Sequence, residues 1–148
     1  MYRTHLAFAL FLACLVAPFV IHLWIFFPVV LVSSFLPDID SMHSYVGHRK
    51  IFRPLQWIVQ HRSVLHSFTF CFLVSLGLAL YFPVIALPFF LGYTSHLFGD
   101  ALTLEGIRPF WPKKDSISGK VLTGGKFEMI IFFSLIVVDL IFVYLLVQ

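Results

Sequence analysis

Eight side chains that can ligate a metal ion stand out because ionisable groups are scarce in this chain. Charged residues make up 11% of the 148 residues. Imidazole and carboxylate donors without a thiolate suit Zn²⁺, Mn²⁺ or Fe²⁺. Such groups in or near an apolar zone are costly and tend to be functional. The eight candidate metal ligands are His5, Asp38, Asp40, His61, His66, His96, Asp100 and Glu128.

The spacing of two pairs fits chelation. His96 and Asp100 are four residues apart, so on a helix both side chains project from the same face. Asp38 and Asp40 flank one residue just after a proline. A turn or extended backbone at that point would aim both carboxylates in the same direction.

The remaining candidates need a change of backbone direction. His61 and His66 would be about 140° apart on one regular helix, so both cannot face the same site. Ser63 as a helix N-cap would leave His61 in the loop and place His66 in the first turn. Gly124–Gly125 permits a tight backbone approach just before Glu128.

The chemistry that such a donor set offers is activation of a water molecule by one or two divalent transition-metal ions. In a two-metal site, ions about 3.5–4 Å apart activate a water molecule and stabilise the leaving oxygen. A carboxylate that ligates no ion would be the general base, with Glu128, Asp38 and Asp40 as the catalytic candidates. Guanidinium and ammonium groups pair with phosphate. The candidates for holding an anionic substrate group are Arg49, Arg62 and Lys126.

Each candidate also has a structural interpretation that leaves the metal out. A histidine and an aspartate four apart can form a buried hydrogen-bonded pair, and two aspartates can end a helix in a turn. His5 can lie at the membrane interface, and His61 with Arg62 can contact lipid phosphates. Glu128 can complement a helix dipole from the first turn.

The composition places these residues in a membrane protein. Hydrophobic residues make up 60% of the chain, and phenylalanine alone occurs 19 times. A soluble domain of this length cannot hide so much apolar surface. This excludes a soluble globular, disordered or disulfide-stapled protein and predicts an all-α polytopic membrane bundle. The two cysteines form no CxxC pattern, so a zinc–thiolate site is not expected.

Three apolar blocks and the distribution of positive charge predict the topology. Spanning about 30 Å of hydrocarbon takes about 20 residues. The first block folds back near Pro18 and the second near Pro83. A first hairpin places all ten Lys and Arg on one side, as the positive-inside rule requires. We therefore predict a cytoplasmic N-terminus, cytoplasmic loops at 37–63 and 104–126, and one domain over 1–148. The predicted helices are approximately 5–17, 19–36, 64–82, 84–103 and 127–147.

A set of short motifs covers nearly the whole chain. As a set they resemble the predicted membrane-bound metal-dependent hydrolase family that includes LexA-regulated bacterial inner-membrane members. The resemblance implies a metal-dependent hydrolase and supplies no substrate. The motifs are Thr4-His5, Leu36-Pro37-Asp38-Ile39-Asp40, His61-Arg62 with His66-Ser67, Ser95-His96 followed by Asp100, Thr103, Gly106 and Pro112, and Gly124-Gly125 with Glu128.

Two functions of different classes follow from these patterns. The first is a hydrolase at the cytoplasmic membrane surface, acting on an ester or phosphoester of a lipid-like substrate through metal-activated water. The second is a divalent-metal transporter or metal-binding sensor without hydrolytic activity. Asp139 shares a helical face with Glu128 about 16 Å further along, which keeps the second open, although a structural Asp139, protonated or hydrogen-bonded, is the preferred interpretation. The expected partners are membrane lipids and the substrate, with no nucleic acid, and the oligomeric state stays open.

Overall fold

The computed structural model describes residues 1–42, 44, 47–58 and 64–148. Within these ranges the protein is all-helical, which confirms the predicted fold class. Two isolated β-bridges, and no strand, occur in the described residues. The α-helices are α1 (Tyr2–Val16), α2 (Leu23–Ser33), α3 (Arg53–Ile58), α4 (Phe68–Tyr81), α5 (Pro83–Ala101) and α6 (Lys126–Val147).

Both predicted hairpins are present, and each turns at a proline. Pro18 lies in a short 3₁₀ turn, Ala17–Phe19, which ends the first helix. At the second hairpin α4 ends at Tyr81, and Pro83 is the first residue of α5. Proline suits that first position because the N–H it lacks would have no helical partner there.

The segment around the second histidine pair differs from the prediction. Ser63 and His61 lie outside the described residues, and α4 begins at Phe68 rather than at residue 64. Ser67 is its N-cap, and the Ser67 hydroxyl accepts a hydrogen bond from the Phe70 amide at 3.1 Å. His66 therefore precedes the helix instead of occupying its first turn. The predicted 37–63 loop also contains the short helix α3.

Three helical segments in the described chain are long and apolar enough to cross a membrane. They are Tyr2–Phe19, Leu23–Asp40 and Lys126–Val147, and Phe68–Tyr81 is a shorter apolar helix. These segments support a membrane location. The predicted count of five crossings and their orientation stay predictions.

Helix α5 is the centre of the bundle, because it packs against α1, α2 and α4, while α6 packs against α1. The α2–α5 crossing is close: a Cβ added at Gly92 would lie 2.1 Å from the Val30 carbonyl oxygen and 2.1 Å from the Ser33 hydroxyl. Only a glycine allows this approach. The crossing brings the end of α2 and the turn after it against the C-terminal half of α5.

Candidate metal centre

Four separate segments bring imidazole and carboxylate groups to the C-terminal half of α5. His96 and Asp100 come from α5 itself, four residues apart as predicted, and His5 comes from α1. Proline 37 opens a 3₁₀ turn, Pro37–Asp40, that follows α2 and carries two aspartates. His66 lies just before α4, where the Tyr93 hydroxyl donates a 2.6 Å hydrogen bond to the Leu65 carbonyl and holds the turn.

The Asp100 carboxylate is where the three described histidines of the cluster meet. Its Oδ1 lies 3.2 Å from His5 Nε2. Its Oδ2 lies 3.4 Å from both His66 Nε2 and His96 Nε2. All four side chains are buried. Asp100 therefore links α1, α5 and the turn before α4 in one polar cluster.

The backbone sets the protonation of His96. His96 Nδ1 lies 2.8 Å from the Ser34 carbonyl oxygen. Since a carbonyl can only accept, Nδ1 carries the proton, and in neutral imidazole Nε2 then holds a lone pair. That lone pair faces Asp100 Oδ2 at 3.4 Å and Asp38 Oδ1 at 3.8 Å. These converging acceptors require a proton or a metal ion between them.

The donor set and its spacing fit a metal ion. An N–H···O hydrogen bond measures about 2.7–3.2 Å, so the His96 Nε2 distances are too long for a good one. Two atoms that each bind one ion at about 2.0–2.2 Å are separated by distances of this size. Two groups of three residues each bring their donor atoms within 4.8 Å of one another. The first group is His5, His96 and Asp100, and the second is Asp38, His66 and His96.

His66 is oriented from its other side. Its Nδ1 lies 3.2 Å from Asp40 Oδ2, and neither side chain is exposed to solvent. Burial lowers the pKa of His66, but the contacts with Asp100 and Asp40 outweigh it and raise the pKa to about 9. To act as a metal ligand at neutral pH, His66 must therefore release a proton when the ion binds.

His5 fits because the residue opposite it has no side chain. Its ring stacks on His96 with a centroid distance of 4.1 Å. A Cβ at Gly99 would lie 2.5 Å from His5 Nδ1 and 2.7 Å from His5 Cε1. Any larger residue at position 99 would displace the ring from Asp100.

Glu128 was predicted as both ligand and catalytic base, and it lies beside this cluster in a network of its own. Its Oε1 accepts a 2.8 Å hydrogen bond from the Thr4 hydroxyl, and its Oε2 accepts one from the Gly124 amide. Gly124 has a φ of +78°, which glycine adopts readily, and it is the one of the two glycines whose amide is described in contact with Glu128. Among the described contacts, none joins Glu128 to the histidines, so its role as a ligand stays a prediction.

The other predicted site residues are less informative. His61 and Arg62 lie outside the described residues. Arg49 and Lys126 are exposed, and their part in binding an anionic group stays a prediction. Asp139 is buried in α6, and neither of its carboxylate oxygens has a hydrogen-bond partner in the described part of the chain.

Sequence reasoning missed three residues that build the site. These are Ser34, whose carbonyl orients His96, Gly99, which makes room for His5, and Tyr93, which holds the turn before His66. None of the three has an imidazole or carboxylate side chain, the groups from which the candidate ligands were chosen. Only the glycine beside Asp100 offered a signal, because a glycine inside a helix at such a position often marks a close approach.

Comparison with known proteins identifies relatives. The sequence profile described as YdjM inner membrane protein matches residues 1–147. Inner membrane protein YdjM from Escherichia coli (strain K12) is 34% identical over 98 residues, which is 60% of this chain and 50% of that protein. The same figures hold for Inner membrane protein YdjM from Shigella flexneri. The chain thus spans about half the length of these curated relatives. No solved structure matches it.

Proposed function

The chain belongs to the YdjM inner membrane protein family, and we propose that it is a membrane-bound metal-dependent hydrolase. The observation that carries the proposal is His96 Nε2, a buried lone pair that faces the carboxylates of Asp100 and Asp38. If His96 and Asp100 were only a structural hydrogen-bonded pair, the distance between His96 Nε2 and Asp100 Oδ2 would be shorter than the observed 3.4 Å. A cation-binding site explains why all these acceptors converge.

His96, Asp100 and His5 would hold a divalent transition-metal ion, with Asp38 and His66 as the alternative partners of His96. The two groups share His96, whose Nδ1 is engaged by Ser34. The described donors therefore favour a single Zn²⁺, Mn²⁺ or Fe²⁺ ion. When bound, such an ion makes a water molecule more acidic and polarises an ester oxygen.

Asp38 fits the role of general base better than the other two candidates. Its side chain is 22% exposed, whereas that of Asp40 is fully buried against His66. Glu128 is held by Thr4 and Gly124. A base must reach the water from which it takes a proton. Asp38 therefore takes that proton, while Asp40 positions His66.

The substrate is an ester or phosphoester of a lipid-like molecule, hydrolysed at the cytoplasmic surface of the inner membrane. In support, His5 lies in the first turns of α1 and Glu128 in the first turn of α6, at one end of two candidate membrane spans. Lipid headgroups lie at that depth. In the predicted orientation, the loops that carry Arg49 and Lys126 are cytoplasmic, and these residues pair with an anionic headgroup.

Metal analysis followed by a lipid hydrolysis screen tests the proposal. Purified protein should contain a transition-metal ion, and His96→Ala combined with Asp100→Ala should abolish it. His22→Ala is the matched control, because His22 is exposed in the turn before α2. Phospholipids and lipid phosphates would then be screened for metal-dependent release of a headgroup. Full metal content in the double variant, or metal-loaded protein that hydrolyses none of these lipids, would contradict the proposal.

The alternative is a divalent-metal transporter, and one observation favours it. Asp139 is buried in the membrane-spanning helix α6 without a described hydrogen-bond partner. It lies about 16 Å along the helix from Glu128. Ionisable residues inside membrane segments often mark ion pathways. A single carboxylate replaces a dication's hydration shell poorly, so we rank transport second.

A further inference from the structure

A cavity of about 160 Å³ lies between α1 and α6, directly beside the candidate metal centre. The surface that faces the cavity is almost entirely apolar. Thr4, His5 and Glu128 line one end, and the apolar side chains of Phe8, Ile131 and Leu135 line the other. His5 therefore contacts Asp100 on one side and faces this cavity on the other.

The two ends of the cavity lie at different depths of the membrane. Glu128 lies in the first turn of the candidate span Lys126–Val147. Leu135 is two helical turns further, or about 10 Å deeper. The end at Thr4, His5 and Glu128 thus lies at the interface, and the end at Phe8, Ile131 and Leu135 lies among lipid chains. Ile131 lines the cavity and still has 37% of its surface exposed, so the cavity opens between α1 and α6.

We propose that this cavity binds one hydrocarbon chain of a membrane lipid, which enters between α1 and α6 and places its ester or phosphoester head beside His5. The inference rests on the proposed hydrolase function and specifies its substrate as a lipid taken directly from the bilayer. An apolar cavity of about 150 Å³ holds a six-carbon hydrocarbon and stays dry. The cavity therefore accommodates the first carbons of the chain, and the remainder lies in the membrane.

The apolar lining of the cavity favours a lipid chain over water as its occupant. A buried water molecule needs two to four polar partners. Phe8, Ile131 and Leu135 offer none from their side chains. A chain bound there removes apolar surface from contact with the cavity and keeps the polar head at the end where Thr4, His5 and Glu128 lie. The lipid can therefore enter the cavity without turning over, because its head stays at the interface and its chain stays in the hydrocarbon region.

Photocrosslinking in vesicles tests the inference. The protein is reconstituted in phosphatidylglycerol vesicles with a small share of a phosphatidylglycerol whose acyl chain carries a diazirine within about six carbons of the ester. We expect adducts at Phe8, Ile131 and Leu135 that saturate at one lipid per chain. Leu135→Trp fills the cavity, so the lipid chain can no longer bury about two of its methylene groups there. This should reduce these adducts about tenfold.

Leu140→Trp is the control, because Leu140 is 67% exposed on the outer surface of the same helix. It should leave the cavity adducts unchanged. Adducts on the unmodified protein that spread evenly over outward-facing residues of α6 would overturn the inference, even if a variant fails to fold. So would unchanged adducts in Leu135→Trp.

The metal content of the same samples separates this inference from the proposed function. Bound metal without cavity adducts refutes the chain-binding site alone. Cavity adducts on protein that contains and binds no metal refute the hydrolase and leave a lipid-binding site.

Discussion

Replacing Gly99 by alanine tests whether the packing of α5 against α1 sets the geometry of the proposed metal centre. The added Cβ would lie 2.5 Å from His5 Nδ1, and ordinary contact begins near 3.4 Å, so the ring must move by about 0.9 Å. His5 has little freedom to do so. It is 3% exposed, it stacks on His96 at 4.1 Å, and it contacts Asp100 at 3.2 Å.

The size of the effect follows from this displacement. Overpacking a buried site costs about 1–3 kcal/mol, and alanine recovers about 1 kcal/mol of helix propensity relative to glycine. We expect a net loss of about 1 kcal/mol in the free energy of unfolding. Metal ligands tolerate errors of about 0.2 Å, so a shift of this size removes His5 from the ion. Zinc affinity should fall by at least the roughly 10–100-fold that losing an outer-shell partner costs.

The assay is a zinc titration against a competing chelator, with a thermal melt of the same samples. Gly77→Ala is the matched control, because Gly77 lies in α4 and a Cβ there meets nothing within 4 Å. That variant should bind zinc normally and melt at the same temperature or higher. If Gly99→Ala binds zinc as tightly as Gly77→Ala, then His5 is not a ligand and the Gly99 contact does not set the centre.

Three further predictions address the general base, the buried carboxylate and the topology. Asp38→Asn should retain the ion through His5, His96 and Asp100 yet lower the hydrolysis rate about 10²–10⁴-fold; equal loss of metal and activity would make it a ligand. Asp139→Asn should preserve metal content and most activity, because an amide avoids a buried charge; metal flux into dye-loaded liposomes that only the unmodified protein supports would promote the transporter. Cysteines introduced at the exposed Arg49 and Lys114 should react only with maleimide added from the cytoplasmic side. Reaction of either cysteine from the other side would contradict the prediction that both loops are cytoplasmic.

Sequence patterns predicted those features of the site that depend only on the geometry of a single helix or turn. A separation of four residues on one helix places His96 and Asp100 on one face whatever surrounds them. The breaks at Pro18 and Pro83 follow from the missing amide of proline. The sequence also predicted that the eight candidate ligands meet at one membrane face. Of these, His5, Asp38 and His66 lie within 3.8 Å of His96 or Asp100.

The details that choose among the candidates depend on contacts between distant segments. Ser34 lies 62 positions before His96, and its contribution is a carbonyl that every residue possesses. Thr4, which lies 124 positions before Glu128, donates a hydrogen bond to the Glu128 carboxylate. The start of α4 was placed too early because Ser63 and Ser67 are equally good caps by residue type. In each case tertiary packing, rather than residue type, selects the partner.

The design of α5 explains why ligands and small residues alternate on one of its faces. Gly92 admits α2 closely enough for the Ser34 carbonyl to reach His96, and Gly99 admits His5 from α1. Between these two glycines stands His96, whose two ring nitrogens face a backbone carbonyl and the carboxylate of Asp100. The contacts that hold three helices together are thus the contacts that orient the proposed ligands. Because His5 and His96 are buried and a misplaced buried imidazole loses its hydrogen-bond partners, loss of either close approach should weaken the bundle and the proposed metal centre together.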